Sequence, residues 1–275
     1  MCRIHARHAL LLAWILSLVF SSACASLSRK EEARGLSRIV ESGELRIGMS
    51  GEQPPLSMTA RNGELLGLDV ALGRVLAQSM GVEAKLVRRP FGELIEALED
   101  REVDLVMSGM TITPERARRV AFVGPYYTSG KSLLTRSQQL ADVQAALDLD
   151  SSELRLAALR GSTSQSFAEN TLPSARLVTT EGLNEAIQKV IDGEVDALVA
   201  DRETCAYGVL RHPDAGLLAG ETSFTVEPMG IAVPLDEPRL ANLVRVYLDA
   251  LAERGTLEKA KAFWLKDPAW VKEMR

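Results

Sequence analysis

Two stretches of the chain share one pattern that decides the fold. Residues 94–109 read LIEALEDREVDLVMSG, and residues 186–201 read AIQKVIDGEVDALVAD. They align without gaps, and five of sixteen positions are identical, including Asp-x-Glu-Val-Asp. Each stretch has the apolar spacing of a helix, followed by a turn and a short β-rich run. The repeat predicts two similar α/β lobes; the alternative is a chance likeness between two helix-turn-strand units.

The sequence on either side of the repeat alternates in the same way. Predicted strands occupy 45–49, 83–87, 103–108, 154–159, 176–178 and 195–200, and predicted helices occupy 69–80, 92–100, 163–170, 183–192, 239–253 and 257–264. This alternation predicts an α/β fold with largely parallel sheets. Ligands of open α/β sheets bind at the carboxyl ends of the strands. We therefore expect Ser108 and Gly109 to face Asp201 across one cleft.

Composition and charge exclude several classes of protein. Of the 275 residues, 46% are hydrophobic and 25% charged, which is typical of a globular protein. The formal charge of −5 offers no basic field for phosphates, so nucleic acid is not expected as a partner. Beyond residue 25 the chain holds a single histidine, His212, and a single cysteine, Cys205. We therefore expect no metal site, no cofactor and no Ser-His-Asp triad.

The first 25 residues have the pattern of an export signal. Arg3 and Arg7 precede an apolar run over 9–20, and Ser-Ser-Ala-Cys-Ala follows at 21–25. Cleavage after Ala25 is one interpretation; cleavage before Cys24, leaving that cysteine for lipid attachment, is the other. We expect residues 1–25 to be a signal peptide and the protein to be periplasmic or otherwise extracytoplasmic, with a lipid anchor at Cys24 still open.

A candidate anion site follows the first predicted strand end. Thr113 is a good N-cap and Pro114 suits the first helical position, so a short helix should begin there. Arg116 then lies in the first turn, where free backbone N–H groups and a guanidinium together bind an anion, and a guanidinium holds a carboxylate through two parallel hydrogen bonds. The alternative is a solvated surface arginine.

The second lobe offers a matching helix start. Ser162 with Gln165 fits a capping box, and Thr163 adds a hydroxyl to the same free N–H groups. Asp201 ends an apolar strand, where a carboxylate needs a cation, a wet cleft or a capping role. By contrast, Gly130-Lys131-Ser132 resembles the end of a phosphate-binding loop but lacks the glycine five residues earlier, so phosphate binding is not expected.

Several segments, taken together and in order, resemble the polar amino-acid-binding proteins of ABC importers, which are bacterial extracellular solute-binding proteins with a two-lobed, hinged fold. The segments are GLDVAL at 67–72, FGELI at 91–95, SGMTITPER at 108–116, FVGPYY at 122–127 and GST at 161–163. The likeness extends from about residue 36 to 264. It implies a periplasmic-binding-protein type II fold, with two α/β lobes joined by two crossing strands and the ligand cleft between them.

The resemblance also assigns expected roles. Arg116 would bind the α-carboxylate of the ligand, helped by Thr111 and the backbone at Thr163, and Asp201 would bind the α-ammonium, helped by Gly109. The remaining expected site residues are Gln53, Phe91, Ser108, Arg160 and Ser162. Lobe 1 would comprise residues 30–129 and 226–275, and lobe 2 residues 130–225.

Departures from the family pattern bear on the ligand. Gln53 replaces the usual tyrosine of an aromatic clamp, and Ser50 replaces the aspartate common in binders of basic amino acids. Arg160, if it faces the pocket, would favour an acidic or amide side chain. We therefore expect a polar amino acid, neutral, amide or acidic rather than basic.

The expected function is that of a monomeric binding protein that delivers a free amino acid to ABC permease subunits, without catalysis. The alternative is an enzyme similar to cyclohexadienyl dehydratases, which use a cleft glutamate as acid and base. The residue matched to that glutamate here is Gln165, and an amide does not exchange protons near neutral pH.

Overall fold

The computed structural model describes residues 34–60, 62–266 and 270–271. The predicted signal peptide, with its two cleavage positions and Cys24, lies outside the described residues. Within them, no helix is both long enough and apolar enough to cross a bilayer.

The first lobe is built on a five-stranded sheet. Its elements are α1 (Gly35–Ser42), β1 (Glu44–Met49), β2 (Glu52–Gln53), β3 (Ser57–Thr59), β4 (Leu65–Leu66), α2 (Leu68–Ser79), β5 (Glu83–Arg88), a 3₁₀ turn (Phe91–Glu93), α3 (Leu94–Glu99), β6 (Leu105–Val106), α4 (Pro114–Ala117) and β7 (Val120–Ser129). A late strand, β13 (Glu227–Pro234), returns to complete the order β5-β1-β6-β13-β7. The short strands β2, β3 and β4 form a separate antiparallel sheet.

The second lobe repeats this plan. Its elements are β8 (Lys131–Thr135), α5 (Gln138–Ala141), a 3₁₀ turn (Ala146–Leu149), β9 (Arg155–Leu159), α6 (Thr163–Thr171), β10 (Arg176–Thr180), α7 (Leu183–Ile191), β11 (Ala197–Asp201), α8 (Arg202–Arg211) and β12 (Leu218–Ala219). The sheet order is β10-β9-β11-β8-β12. Two helices, α9 (Pro238–Glu253) and α10 (Thr256–Lys266), follow β13.

The predicted α/β architecture is confirmed, but neither sheet is wholly parallel. β1 runs parallel to β5 and β6, and β9 runs parallel to β10 and β11, as the βαβ pattern predicts. The strands nearest the crossing between the sheets, β13 and β8, run antiparallel to β6 and β11. The difference arises because the chain enters each of these two strands from the other lobe and does not reach it through a crossover helix.

The internal repeat is structural and extends beyond the aligned stretches. Asp104 accepts the backbone N–H of Arg46 at 2.7 Å and pairs with its guanidinium at 2.8 Å. At the matching place in the second lobe, Asp196 accepts the N–H of Arg155 at 2.8 Å and pairs with that guanidinium at 2.6 Å. In each lobe the aspartate of the repeated Glu-Val-Asp thus fixes the start of the neighbouring strand, β1 or β9.

We expect the two equivalent aspartates to differ in their contribution to stability. The side chain of Asp104 is 4% exposed and also binds Arg38, whereas that of Asp196 is 31% exposed. Asp104→Asn should lower the free energy of unfolding by about 3 kcal/mol, since it leaves the half-buried guanidinium groups of Arg38 and Arg46 without their buried carboxylate. Asp196→Asn should cost about 1 kcal/mol. Urea unfolding of both variants measures the difference, and equal losses would contradict this reading of the repeat.

Candidate functional site

The two strand ends singled out by the repeat come together between the sheets. Ser108 is fully buried and its hydroxyl accepts the N–H of Ser50 at 3.0 Å. Gly109 has a left-handed φ of 60°, and a Cβ there would lie 2.8 Å from a methyl of Leu56, so this position favours glycine. Its N–H donates to the buried carboxylate of Asp69 at 2.6 Å. The bonds at Ser108 and Gly109 therefore hold the loop after β6 in place, and Thr111, which follows in this loop, lies at the cleft.

Arg116 is held where the helix-start signals predicted. The hydroxyl of Thr113 accepts the N–H of Arg116 at 3.2 Å, which confirms the N-cap of α4. The guanidinium is buried, lies 5.5 Å from the centre of the Phe91 ring, and donates to the carbonyl of Thr111 at 3.0 Å and to that of Gly161 at 3.1 Å. Burial lowers the pKa of Arg116, but an arginine remains charged. A carboxylate is the strongest partner for such a group.

Asp201 contacts a buried cation, Lys131, whose place at the site is not predicted from the sequence. Its carboxylate lies 2.5 Å from the ammonium of Lys131, which lies 3.5 Å from the carboxylate of Glu227 on β13. All three residues are buried. Burial raises the pKa of Asp201, although Lys131 opposes this. Burial also acts on Glu227, but Lys131 and neighbouring hydroxyls hold its pKa below the usual value. Asp201 makes no capping bond to α8, and it is one of the residues that line the cavity between the lobes.

Several hydrogen bonds join the two lobes across the cleft. The hydroxyls of Thr111 and Thr163 are 3.3 Å apart, and Arg116 donates to the carbonyl of Gly161 in the opposite lobe. The N–H of Leu183 donates to the carboxylate of Glu52 at 3.0 Å, and the hydroxyl of Thr204 donates to the carbonyl of Pro54 at 2.8 Å. The lobes are thus in a closed arrangement.

The cavity enclosed by these contacts is small and polar. Among its lining residues are Glu52, Gln53, Phe91, Gly109, Thr111, Lys131, Ser162, Thr163, Ser164, Asp201 and Thr204. Its free volume is about 20 Å³, whereas one water molecule needs roughly 10–15 Å³. A molecule of amino-acid size therefore reaches this place only when the lobes separate.

Most of the predicted site residues meet at this cavity. Gln53, Phe91, Gly109, Thr111, Ser162, Thr163 and Asp201 line it, with Arg116 packed against Phe91 and Ser108 buried beside it. Arg160 is the exception: its side chain is 56% exposed and pairs with Glu181 at 2.5 Å. The interpretation that Arg160 faces the pocket is therefore wrong in this structure, because the end of β10 supplies an acidic partner on the outer side.

Sequence reasoning missed three charged residues at the site, Glu52, Lys131 and Glu227. Lys131 belongs to the segment that only resembles a phosphate-binding loop, yet it begins the strand KSLLT, every residue of which is buried. A lysine in such a strand is itself a signal, since a lysine is almost never fully buried without a partner. Among the described residues, no group of three or more His, Cys, Asp or Glu is arranged to hold a metal ion.

Residues 45–267 match the family described as bacterial extracellular solute-binding proteins, family 3. The chain belongs to this family. It is therefore an extracytoplasmic solute-binding protein of the kind that serves amino-acid transport by ABC importers. The predicted family and the predicted two-lobed type II fold are confirmed.

Individual relatives include both binding proteins and an enzyme. The chain is 34% identical to the L-arginine-binding protein of Pseudomonas aeruginosa over 221 residues, covering 77% of this chain and 83% of that protein. It is 28% identical to the cyclohexadienyl dehydratase of the same organism over 253 residues, covering 90% and 94%. Among solved structures, an ancestral amino acid-binding protein described as a precursor of cyclohexadienyl dehydratase is 34% identical with a TM-score of 0.76, covering 83% of this chain and 98% of that one.

Proposed function

We propose that the chain binds an L-α-amino acid between its lobes and presents the closed complex to ABC permease subunits. The observation that carries this proposal is the placement of opposite charges on separate lobes: Arg116 follows β6 of the first sheet, and Asp201 ends β11 of the second. A zwitterion between them has its carboxylate at the guanidinium and its ammonium at the aspartate. Thr111 and Thr163, whose hydroxyls contact each other across the cleft, are proposed to separate when the ligand enters and to contact it from the two lobes.

Closure is proposed to be a hinge motion about the two crossings between the sheets. β7 ends at Ser129 in the first sheet and β8 begins at Lys131 in the second; the chain returns between Thr225 and Glu227. The N–H of Lys131 donates to the hydroxyl of Thr225 at 3.0 Å, so the crossings are bonded to each other. This supports lobe 1 as residues 30–129 and 226–275 and lobe 2 as residues 130–225.

The side chain of the ligand is proposed to be cationic, in contrast to the preference suggested by the sequence. The structure turns Arg160 outward, which removes the reason for an acidic side chain, and brings the carboxylate of Glu52 to the cavity. Burial raises the pKa of Glu52, opposed by the N–H groups of Leu183 and Asn184. A carboxylate in a shielded cavity attracts a cation. The second candidate is a neutral amide side chain, favoured by Ser50 in place of aspartate.

Calorimetric titration of the twenty amino acids into ligand-free, refolded protein tests the proposal. An amino acid of about ten heavy atoms, at roughly 1 kcal/mol per atom, reaches micromolar affinity or better. We expect micromolar or tighter binding of L-arginine or L-lysine, and binding at least tenfold weaker for L-glutamine. The absence of heat with all twenty, in protein shown to be folded, would refute the proposal.

Glu52→Gln separates the two candidate side-chain classes. We expect this change to weaken binding of L-arginine about tenfold, because it removes the carboxylate nearest the cationic side chain. Binding of L-glutamine should change less than threefold. Exposed Glu64→Gln in the same lobe is the matched control. A loss shared equally by both ligands would show that Glu52 acts only through its bond to Leu183.

The second candidate function is an enzymatic activity, because one relative is a cyclohexadienyl dehydratase. Buried charges in the cavity favour it, but Gln165, the residue matched to the catalytic glutamate, bonds to Gly161 and Glu169 and does not line the cavity. Incubation with prephenate or arogenate, followed by detection of an aromatic product, tests this candidate. Product formed by the wild-type protein and lost in Asp201→Asn would place the chemistry at this cavity.

A further inference from the structure

Lys131 occupies an unusual place for a lysine. It is 1% exposed and among the largest fully buried side chains of the described residues. Its ammonium contacts Asp201 at 2.5 Å and Glu227 at 3.5 Å, and both carboxylates are buried as well. Burying charges in this way contributes little to stability compared with an apolar core, so the cluster calls for a role in binding.

The chemistry of Lys131 duplicates that of the expected ligand. An α-ammonium and a lysine side chain are both R–NH₃⁺ groups with three donors. Lys131 and Asp201 both line the cavity, and the carboxylate expected to receive the ligand is the one that Lys131 contacts at 2.5 Å. The carboxylate of Glu227 lies 3.5 Å from the same ammonium, slightly beyond direct bonding distance. A small movement of the Lys131 ammonium away from Asp201 would therefore bring it into direct contact with Glu227.

We propose that Lys131 is an exchangeable counter-ion for the ligand's ammonium: the ligand takes Asp201, and Lys131 transfers to Glu227. This inference rests on the proposed function. The cluster of one ammonium and two carboxylates has a net charge of −1. An arriving ammonium neutralises it, so that each buried carboxylate then has its own cation. Without Glu227, the ligand would bring a positive charge to a pair that is already neutral.

The cluster also lies at the hinge. Lys131 is the first residue of β8 and Glu227 the first of β13, so one stands at the end of each crossing segment. The hydroxyl of Thr225 accepts the N–H of Lys131 and donates to the carboxylate of Glu227 at 2.7 Å. Transfer of the lysine ammonium to Glu227 would therefore tie the two crossings together when the ligand is bound.

The test is a charge-rescue cycle with L-arginine and L-glutamine as probes. Glu227→Gln leaves the cluster neutral, and we expect at least tenfold weaker binding. Lys131→Met combined with Glu227→Gln restores a net charge of −1 through Asp201 alone, and we expect affinity within threefold of wild type. Exposed Glu221→Gln is the control for loss of a distant carboxylate. Circular dichroism and thermal melting verify that each variant is folded.

The outcomes separate this inference from the proposed function. Rescue by the double variant supports the exchange, because damage to the fold would accumulate in the double variant. Unchanged affinity in Glu227→Gln, or a double variant as weak as Glu227→Gln, overturns the exchange while leaving amino-acid binding in place. No binding of any amino acid by the folded wild-type protein refutes the proposed function, and the exchange with it.

Discussion

Arg116→Met should abolish measurable amino-acid binding, with a loss of about a thousandfold. The guanidinium is buried against Phe91 and is the group proposed to receive the ligand's carboxylate. Removing one partner of a buried, hydrogen-bonded charge pair costs about 4 kcal/mol, which corresponds to roughly a factor of a thousand. Calorimetry with the amino acid that binds the wild-type protein measures the loss.

Two further variants make this result specific. Arg118→Met removes an exposed arginine two residues away and should leave affinity within a factor of about two. Arg116→Lys keeps the charge but loses the paired geometry and the flat contact with Phe91, so we expect about a hundredfold loss. If Arg116→Met, shown to be folded, bound the ligand as tightly as Arg118→Met, the carboxylate would have to be held elsewhere.

Local signals in the sequence predicted many of the helices and strands and the helix starts at the site, but they did not predict α8 (Arg202–Arg211) or β7 (Val120–Ser129). The predicted helix at 183–192 is observed as Leu183–Ile191, and the predicted start at Thr113 and Pro114 is confirmed by the capping bond. Capping side chains and apolar periodicity act over a few residues, so a single sequence displays them fully. The internal repeat also indicated a contact between distant parts of the chain, because equivalent strands in two similar lobes place their ends, Gly109 and Asp201, at equivalent positions.

The charged cluster was not predictable in the same way. Lys131, Asp201 and Glu227 are 70 and 26 residues apart along the chain, and no local pattern links them. They meet because β8 and β13 each begin where the chain crosses between the lobes, and both starts lie beside the end of β11. Arg160 shows a different limit of sequence-based prediction. The sequence indicates where its backbone lies, but the direction of its long side chain depends on Glu181, a partner supplied by another part of the chain.

Asp69→Asn should change the pH dependence of stability more than any other single substitution considered. Asp69 lies in the first turn of α2, is fully buried, and accepts the N–H of Gly109. Burial raises the pKa of Asp69 from 3.8 to about 7, although the nearby hydroxyl of Tyr126 and the N–H of Gly109 oppose the rise. The folded protein thus prefers the protonated carboxyl, whereas the unfolded chain ionises near pH 4.

The sign of the effect follows from this difference. Stability conferred by the raised pKa is fully present below pH 4 and is lost as pH rises to about 7, at 1.36 kcal/mol for each unit, or roughly 4 kcal/mol in total. Asparagine can accept the same N–H without ionising. Relative to wild type, Asp69→Asn should therefore gain up to about 4 kcal/mol between pH 4 and pH 8.

Urea unfolding of both proteins across this range isolates the contribution of Asp69, since groups common to both, including Glu52 and Asp201, cancel in the difference. Asp100→Asn, at an exposed position of the same lobe, should follow the wild-type profile. Parallel profiles for Asp69→Asn and wild type would show that the carboxylate is ionised at no cost in the folded protein. A growing gap with rising pH would instead show that the loop carrying Gly109 is held by an aspartate that the fold prefers to keep protonated.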